Sequence, residues 1–411
     1  MKGWDTVSFL PVAYVNKRLA EIWPTVANQF QFCEDDLTIQ GCFGPPQIVP
    51  GGSNKAMHLM LPVLTGELIM ENAKQYPLDR CECCVSVMLK LDTCGSLGTR
   101  ELKFDFSQFA QEPEAADPEE GGWVVPISLR DPVGHLPKLR YYSVLDYICM
   151  FLIAHPDFIE EILATVAMGQ SGSDLWMSPT DCTYSYLECD PPCLCILGVC
   201  GTRWLSELPV TIDVPSVGDK TASYLAISGP LFLANGLIPA LSNLFPDSMP
   251  GVFEENEGWV ESLFPLDMTA LEYSGWEYTP SAQTVRLKIG GDRLIMMIHG
   301  SCDLDPFAAQ LEFHLDARLS LTFSGGRAVC RVESLYEEHS VHSDNPFEIP
   351  LVSELIKLLL NRLGDDLCAR LNQFFTDGRL PLEMDAVHWL GRDNCQIESV
   401  RLENCLLLEY R

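Results

Sequence analysis

A run of strictly alternating apolar and polar residues in the second half of the chain constrains the fold more than any other feature. Its apolar members are Leu311, Phe313, Leu315, Ala317, Leu319, Leu321 and Phe323. Successive side chains of a strand point to opposite faces of a sheet, so the alternation predicts one strand with one buried face. Ordinary strands contain about 3 to 10 residues, and a longer strand must twist and coil. The natural filler of its concave apolar face is a helix of similar length.

The sequence supplies such a helix at residues 351–375, which would be about 37 Å long. One stripe along it contains Leu355, Leu359, Leu363, Leu367, Leu371 and Phe374. Because the length and the apolar face both match the strand, we expect this helix to lie inside a coiled antiparallel sheet. Residues 380–385 and 396–410 are predicted to return as strands.

The first half of the chain shows the same order of elements. After Pro11, and with a kink at Pro24, a helix is predicted from the spacing of Val12, Val15, Leu19, Ile22, Val26 and Phe30. Alternation then predicts strands at residues 85–91, 102–106 and 124–129, with a loop at 112–122. A second helix, kinked at Pro156, is predicted from Leu145, Ile148, Leu152, Ile159, Ile162 and Val166.

The repeated order predicts two domains of the α+β class. The second half opens with a helix predicted from Leu231, Ala234, Leu237, Leu241 and Phe245. A length of 411 residues favours two domains, and residues 169–218 are rich in Ser, Gly, Pro and Cys. We therefore predict domains at residues 1–200 and 201–411, each a long, highly twisted antiparallel sheet wrapped around long amphipathic helices.

The charge of the chain restricts its partners. The 27 basic and 57 acidic residues give a formal net charge of −30. This charge repels phosphate backbones and anionic membrane surfaces, so we expect no nucleic acid partner and favour basic partners. The first ten residues lack the basic and apolar regions of a secretory signal, which predicts a soluble protein that is cytoplasmic as synthesised.

Residues 221–246 contain no charged residue and are long enough for a membrane span. Gly229, Pro230, Asn235 and Pro239 interrupt and polarise the segment. We therefore expect a buried core helix here and no transmembrane segment.

Motifs that carry catalysis are missing from the sequence. It contains no HExxH zinc motif, no GxSxG nucleophile elbow, no GxGxxG dinucleotide loop and no Walker loop. We predict a non-enzymatic protein with no catalytic residue and no cofactor.

The 17 cysteines are interpreted as reduced thiols, because no secretory signal is visible. Two groups of them could instead hold zinc, and a third set of residues could hold another divalent metal. The three sets are Cys81 with Cys84; Cys189, Cys193, Cys195 and Cys200; and Glu337, Glu338, His339, His342 and Asp344. Alternation along a strand would send the members of the first and third sets to opposite faces. Partly buried thiols, and a loop after a strand, are the favoured interpretations, so we predict no metal site.

Two segments resemble a known family. The first is the opening, in which Gly3, Trp4, Asp5, Thr6, Val7, Val15 and Asn16 match the family pattern; the second is GWEYTPSAQTVRLKIGGDRLIMMIHGSCDLD, residues 275–305. They are similar to the clostridial forty-seven-kilodalton accessory proteins of the OrfX-type neurotoxin gene cluster. The resemblance implies a tubular lipid-binding (TULIP) fold related to the bactericidal permeability-increasing protein (BPI). It also implies lipid or amphiphile binding, with phosphoinositides as ligands in the OrfX group, and accessory roles beside toxins.

Two functions follow as hypotheses from this resemblance. The first is non-enzymatic binding of a lipid or other apolar small molecule in a tubular groove between helix and sheet. The candidate lipid-contact residues are Val15, Leu19, Trp23, Leu237, Leu241, Leu359 and Leu363. The alternative is a structural scaffold with a filled core and no ligand. Other proteins of the same gene cluster are expected partners in both cases. Trp4 is expected to staple the first helix onto its sheet.

Overall fold

The computed structural model describes most of the chain. The described residues are 1–23, 28–34, 37–71, 74–94, 98–110, 122–169, 176–201, 203–210, 212, 219–238, 241, 245, 251–273, 275–305, 309–324, 327–343, 353–362, 365, 369, 386–392 and 395–411.

Strands outnumber helices in the first half of the chain. Its elements are β1 (Thr6–Pro11), α1 (Val12–Ile22), β2 (Gln29–Glu34), β3 (Leu37–Phe43), β4 (Gln47–Ser53), β5 (Ala56–Met70), β6 (Gln75–Pro77), β7 (Glu82–Cys94), β8 (Thr99–Asp105), β9 (Gln108–Phe109), β10 (Trp123–Arg130), a 3₁₀ turn (Lys138–Arg140), α2 (Tyr141–Ala154), β11 (Ala164–Ala167), β12 (Asp181–Leu187) and β13 (Cys193–Val199).

The described residues of the second half are also mostly in strands. Its elements are a 3₁₀ turn (Leu205–Glu207), β14 (Ser223–Ser228), α3 (Gly229–Phe232) with a π-helical continuation (Leu233–Leu237), β15 (Phe253–Asn256), β16 (Trp259–Ser262), β17 (Leu266–Asp267), β18 (Leu271–Tyr273), β19 (Trp276–Tyr278), β20 (Ser281–Gly290), β21 (Arg293–Leu304), β22 (Ala309–Ser324), β23 (Arg327–Ser343), a helical segment at 353–362, β24 (Val387–Trp389), β25 (Ile397–Leu402) and β26 (Cys405–Tyr410).

Three large sheets organise the described strands. The N-terminal sheet has the order β2-β3-β5-β7-β8-β11-β24, with β4 and β6 beside β5, β10 beside β7 and β9 beside β10. The central sheet has the order β12-β13-β1-β14-β26-β25, and the C-terminal sheet the order β15-β16-β20-β21-β22-β23 with β17 beside β20. Nearly all neighbours are antiparallel; β9 and β10 are the parallel pair. The predicted α+β class with antiparallel sheets is confirmed.

The central sheet is built from segments that are far apart in the sequence. Its first strand, β1, pairs with β13 on one side and with β14 on the other. The next strand along, β26, pairs with β14 through the last residues of the chain. All six residues of β1 are buried. The predicted division at residue 200 lies between β13 and β14, and both of these strands flank β1 in this sheet.

The N-terminal sheet packs over α1 and α2. On α1 the buried residues Val12, Val15 and Leu19 form one stripe, as their spacing predicts. On β7 Val85 and Val87, at the predicted spacing of two, are completely inaccessible to solvent, but Ser86 between them is buried as well. Each fully buried side chain of this kind contributes about 1.5 to 3 kcal/mol to folding. This shared apolar core holds the two helices against the sheet.

The C-terminal sheet contains the long strand on which the prediction of a coiled sheet rests. β22 extends from Ala309 to Ser324, and its apolar residues from Leu311 to Leu321 are buried at every second position. The helical segment at 353–362 supplies Leu355 and Leu359 to the same core. The predicted helix at 351–375 is thus confirmed over 353–362. The later stripe residues, the predicted strand at 380–385 and most of the predicted loop at 112–122 lie outside the described residues.

Both predicted helices of the first half extend too far along the sequence. Phe30 lies in β2, where it pairs with β3. The helix α2 ends at Ala154, and Val166 lies in β11. The cause is Pro156: the residue before a proline is forced out of the helical region, and His155 has φ −129° and ψ 66°. The proline therefore ends the helix and does not kink it.

The uncharged segment at 221–246 is a helix only in part. It begins as β14, a buried strand of the central sheet, and turns helical at Gly229, where the Ser228 hydroxyl accepts a hydrogen bond from the Leu231 backbone N–H. Among the described residues, no helix has both the length and the apolar character needed to cross a membrane.

Candidate functional site

A wide cleft of about 1650 Å³ opens at one end of the N-terminal sheet. One wall is formed by β2, β3, β5 and β6, and the other by the end of α2 and residues 155–161. Phe30 and Gly41 line the first wall, and Phe151 and Phe158 line the second. Segments from four parts of the sequence therefore meet at this cleft.

A cluster of aromatic rings closes the bottom of the cleft. Phe30 stacks on Phe43 with ring centroids 4.2 Å apart, and Phe151 meets Phe158 edge to face at 5.1 Å. Edge-to-face and offset-stacked pairs are the favoured arrangements of aromatic rings. Trp23 joins the cluster 5.8 Å from Phe158, and its indole N–H donates to the Phe43 carbonyl oxygen at 3.2 Å. Trp23, one of the predicted contact residues, thus touches a ring that lines the cleft.

Two glycines make room for Phe30. Gly41 on β3 lies opposite Gly66 on β5. A Cβ atom added at Gly41 would lie 2.3 Å from the Thr65 carbonyl oxygen and 2.9 Å from the Phe30 ring. The aromatic floor therefore depends on a cross-strand pair of residues without side chains.

Carboxylates and amides form the rim of the cleft. Asp157, Glu160 and Glu161 stand on the segment that follows α2. On the opposite wall, Glu67 accepts a hydrogen bond from the Gln40 amide at 2.7 Å, and Asp79 Oδ1 accepts one from a backbone N–H at 3.0 Å. None of the described residues that line the cleft is Lys or Arg. The rim therefore favours positively charged groups.

The predicted lipid-contact residues lie in two separate cores. Val15, Leu19 and Trp23 belong to the core of the N-terminal sheet, whereas Leu237, Leu241 and Leu359 belong to that of the C-terminal sheet. None of these six is more than 5% exposed. The seventh, Leu363, lies outside the described residues.

Trp4 and Asp5, two residues of the opening segment that resembles the family, form hydrogen bonds within the fold. The Trp4 indole N–H donates to the Pro209 carbonyl oxygen at 2.8 Å, and Asp5 accepts the Cys200 backbone N–H at 2.8 Å and pairs with Arg203. Trp4 is buried in a cluster of central-sheet residues that contains no residue of α1. The expected staple to the first helix is therefore wrong, because β1 separates Trp4 from that helix.

Asn16 attaches the first helix to the sheet. Its amide nitrogen donates to the Ile48 carbonyl oxygen at 2.9 Å, and its amide oxygen accepts the Ile48 backbone N–H at 2.8 Å. The Asn16 side chain thus forms with Ile48 on β4 the two backbone hydrogen bonds that a neighbouring strand would otherwise form. This contact gives a physical reason for the presence of Asn16 in the matched opening.

The structure separates members of the cysteine cluster at 189–200. Cys193 begins β13 and Cys200 follows its end, so that seven residues of extended chain, about 23 Å, separate them. A tetrahedral zinc ion needs its ligands about 2.3 Å from one centre. Across the described residues, no group of three or more His, Cys, Asp or Glu side chains could hold a metal ion.

Members of the other two candidate metal sets lie in the apolar core and along β23. Cys81 is buried, and burial raises its pKa to about 11, so the thiol is protonated at neutral pH. His339 and His342 do not lie in a loop, because β23 continues through both of them. His342 faces Glu312 of β22 at 3.3 Å. Asp344 lies outside the described residues.

The described residues form a protein of the α+β class, in which predominantly antiparallel sheets pack on helices. The family model OrfX-like, described as Protein OrfX2/OrfX3/P47, matches residues 1–344. The chain belongs to this OrfX-like family, as its opening residues predicted.

Two solved structures show the same fold. "Structure of P47 from Clostridium botulinum A2" superimposes with a TM-score of 0.77 and 19% identity, covering 100% of this chain and 97% of that one. "Crystal structure of P47 of Clostridium botulinum E1" gives a TM-score of 0.76 and 17% identity, with coverages of 100% and 99%. The comparison with curated proteins found no match. At these identities the likeness concerns the fold.

Proposed function

We propose that this protein is a non-enzymatic accessory component of a toxin-related multiprotein assembly, which acts by binding partner proteins. Membership of the OrfX-like family supports the accessory role. We also propose that residues 1–200 and 201–411 form two TULIP-like domains. The support for that division is that the N-terminal and C-terminal sheets each surround an apolar core of their own.

The observation that carries the proposed scaffold function is that side chains fill the cores of both sheets. The six described residues expected to contact a lipid are at most 5% exposed. Protein interiors are close-packed, and few voids in them exceed a water molecule. An acyl chain between helix and sheet would therefore have to displace side chains such as Leu19 and Leu359. This favours the scaffold hypothesis over carriage of a lipid inside the sheets.

A second candidate function, amphiphile binding, is favoured by the cleft. Its aromatic floor continues into the N-terminal core through Phe151 and Phe158. An amphiphile could lay its apolar part over this floor and its polar part against the carboxylate rim. A phosphoinositide head group, which the family resemblance implied, would meet Asp157, Glu160 and Glu161 and be repelled.

Native mass spectrometry of the purified full chain, followed by solvent extraction, decides between the two functions. We expect a mass equal to that of the bare chain, and no flotation with neutral or anionic vesicles. A discrete lipid mass that survives purification, or flotation with either type of vesicle, would replace the scaffold function with amphiphile binding.

Because the carboxylate rim favours positively charged groups, we propose that basic partners bind at the cleft, and a labelled Lys- and Arg-rich peptide tests this. The variant combines Asp157→Asn, Glu160→Gln and Glu161→Gln; its matched control combines Glu254→Gln, Glu272→Gln and Glu277→Gln, three exposed carboxylates of the second half. Each rim charge is worth about 0.5 kcal/mol, so we expect about tenfold weaker binding for the cleft variant alone. Equal losses in both triples would show that only net charge matters and would remove the cleft from the proposal.

A further inference from the structure

We propose that Cys189 and Cys193 form a reversible disulfide when a hydroperoxide oxidises the protein. The observation that carries this inference is that both sulfur atoms lie within hydrogen-bonding distance of one backbone oxygen. Cys189 Sγ lies 3.0 Å from the Pro191 carbonyl oxygen, and Cys193 Sγ lies 3.3 Å from the same atom.

The turn between β12 and β13 brings the two sulfur atoms together. β12 ends at Leu187, which pairs with Cys193 at the start of β13. Cys189 lies two residues beyond Leu187, inside the turn, and its thiol folds back toward the Pro191 carbonyl. A disulfide requires close and correctly directed Cβ atoms. The five-residue turn places both sulfur atoms beside one oxygen atom, which is the proximity that the proposed disulfide uses.

Exposure divides the two thiols into an attacking and a resolving group. Cys189 is exposed, whereas Cys193 is completely inaccessible to solvent. A peroxide in solution therefore reaches Cys189 and not Cys193. Redox-sensitive cysteines typically have this arrangement, with an accessible thiol beside a second thiol that resolves it.

The neighbouring Cys193 thiol favours the thiolate form of Cys189. A hydrogen bond from the Cys193 thiol lowers the pKa of Cys189 to about 7, although partial burial opposes this shift. The same contact and burial raise the pKa of Cys193. The exposed Cys94 differs, because a hydrogen bond with the Glu101 carboxylate raises its pKa. The thiolate is the reactive nucleophile, so Cys189 should react before Cys94.

The chemistry proceeds in two balanced steps. The Cys189 thiolate attacks one peroxide oxygen; an S–O bond forms, the O–O bond breaks, and the departing oxygen leaves as water or an alcohol after taking up a proton. The Cys193 sulfur then attacks the resulting sulfenic acid; the S–S bond forms, and the hydroxyl leaves as water with the Cys193 proton. The two thiols lose two electrons, and the peroxide gains them. A dithiol reductant reverses the reaction by exchange.

The position of Asp190 allows a direct test on the full chain. Dilute acid selectively cleaves Asp–Pro bonds, and cleavage after Asp131, Asp190 and Asp305 yields fragments 132–190 and 191–305. After treatment with one equivalent of hydrogen peroxide and blocking of the remaining thiols, we expect these fragments to stay joined until reductant is added. Fragments that separate without reductant would overturn the proposal.

Variants assign the two sulfur atoms. Cys189→Ser should abolish the joined fragments, and Cys193→Ala should leave a sulfenic acid on Cys189 that a cyclic diketone traps. The matched controls Cys33→Ser and Cys94→Ser remove the other exposed thiols among the described residues and should leave the joined fragments unchanged. Joined fragments that persist in Cys189→Ser, or that disappear in Cys94→Ser, would show that the disulfide uses other cysteines. Because Cys189 is exposed, its serine variant retains the native fold.

Discussion

The indole N–H of Trp389 donates a hydrogen bond to the Ser8 hydroxyl at 2.9 Å, although 381 positions separate the two residues in the sequence. Trp389 ends β24 in the N-terminal sheet, and Ser8 lies in β1 of the central sheet. Both side chains are buried. A late segment of the chain is thereby fixed to its first strand by one polar contact inside an apolar core.

Ser8→Ala should lower the stability of the protein by about 1 to 3 kcal/mol, because it leaves the buried indole N–H of Trp389 without an acceptor. Urea unfolding followed by circular dichroism measures the change. Ser185→Ala is the matched control: Ser185 is equally buried, and its hydroxyl has no hydrogen-bond partner among the described residues. Equal losses of stability in the two variants would contradict a special role for the Ser8 hydroxyl.

Asn16→Asp should weaken the attachment of α1 to β4. The substitution removes the amide donor to the Ile48 carbonyl and places a negative charge beside that oxygen, so we expect a loss of about 2 kcal/mol. The same change at the exposed Asn235, whose amide donates to the Leu231 carbonyl at 3.2 Å, should be nearly neutral. Thermal unfolding of both variants provides the comparison, and an unchanged midpoint for Asn16→Asp would refute the contact.

Lys55→Met should stabilise the protein at neutral pH and lose this advantage in alkali. Burial lowers the pKa of Lys55 to about 8 from 10.5, with its ammonium 4.2 Å from the centre of the Tyr184 ring. Between these two values the unfolded chain keeps a proton that the folded chain has released, so wild-type stability rises with pH relative to the variant. Urea midpoints at pH 7 and pH 10 test this; a constant difference would contradict it.

Cys189 should react with iodoacetamide about tenfold faster than Cys94 at pH 7, because its larger thiolate fraction outweighs the lower nucleophilicity of a more acidic thiol. In Cys193→Ala the hydrogen bond that lowers the pKa of Cys189 is lost, so the rate at pH 7 should fall and its pH profile should move to higher pH. Mass spectrometry of timed digests gives both rates. A profile unaffected by Cys193→Ala would show that the two thiols do not interact.

The elements that could be predicted best are those whose pattern is local. The alternation from Leu311 to Phe323 predicted β22 to within two residues at each end, because a strand with one buried face repeats every two residues. The stripe of α1 was predicted for the same kind of reason. Its continuation to Phe30 was wrong, since a side chain can have helical spacing and still be buried by strand pairing.

The ends of α2 show the same limit. Val166 has the spacing of a helical stripe after Leu152, but it is buried by pairing of β11 with β8 and β24. The second of these partners lies more than two hundred residues further along the chain. Periodicity describes which residues are apolar, and it contains no information about a partner at that distance.

The candidate site could not be predicted from the sequence. The cleft depends on the approach of β2, β3, β5 and β6 to the segment after α2, and its rim residues, such as Glu67 and Glu160, belong to no motif. The sequence did identify the cysteines at 189–200 as a cluster. It could not separate a zinc site from a thiol pair, because only the turn between β12 and β13 shows that Cys189 and Cys193 meet while Cys200 lies at the other end of the strand.

The pairing of β11 with β24 has a consequence for biosynthesis. Ribosomes add about 5 to 20 residues per second, so β24 emerges about 10 to 45 s after β11. Throughout that interval the backbone groups along one side of Ala164–Ala167 have no strand to accept or donate their hydrogen bonds. The nascent N-terminal sheet therefore keeps an unpaired strand edge at β11 until β24 has been synthesised.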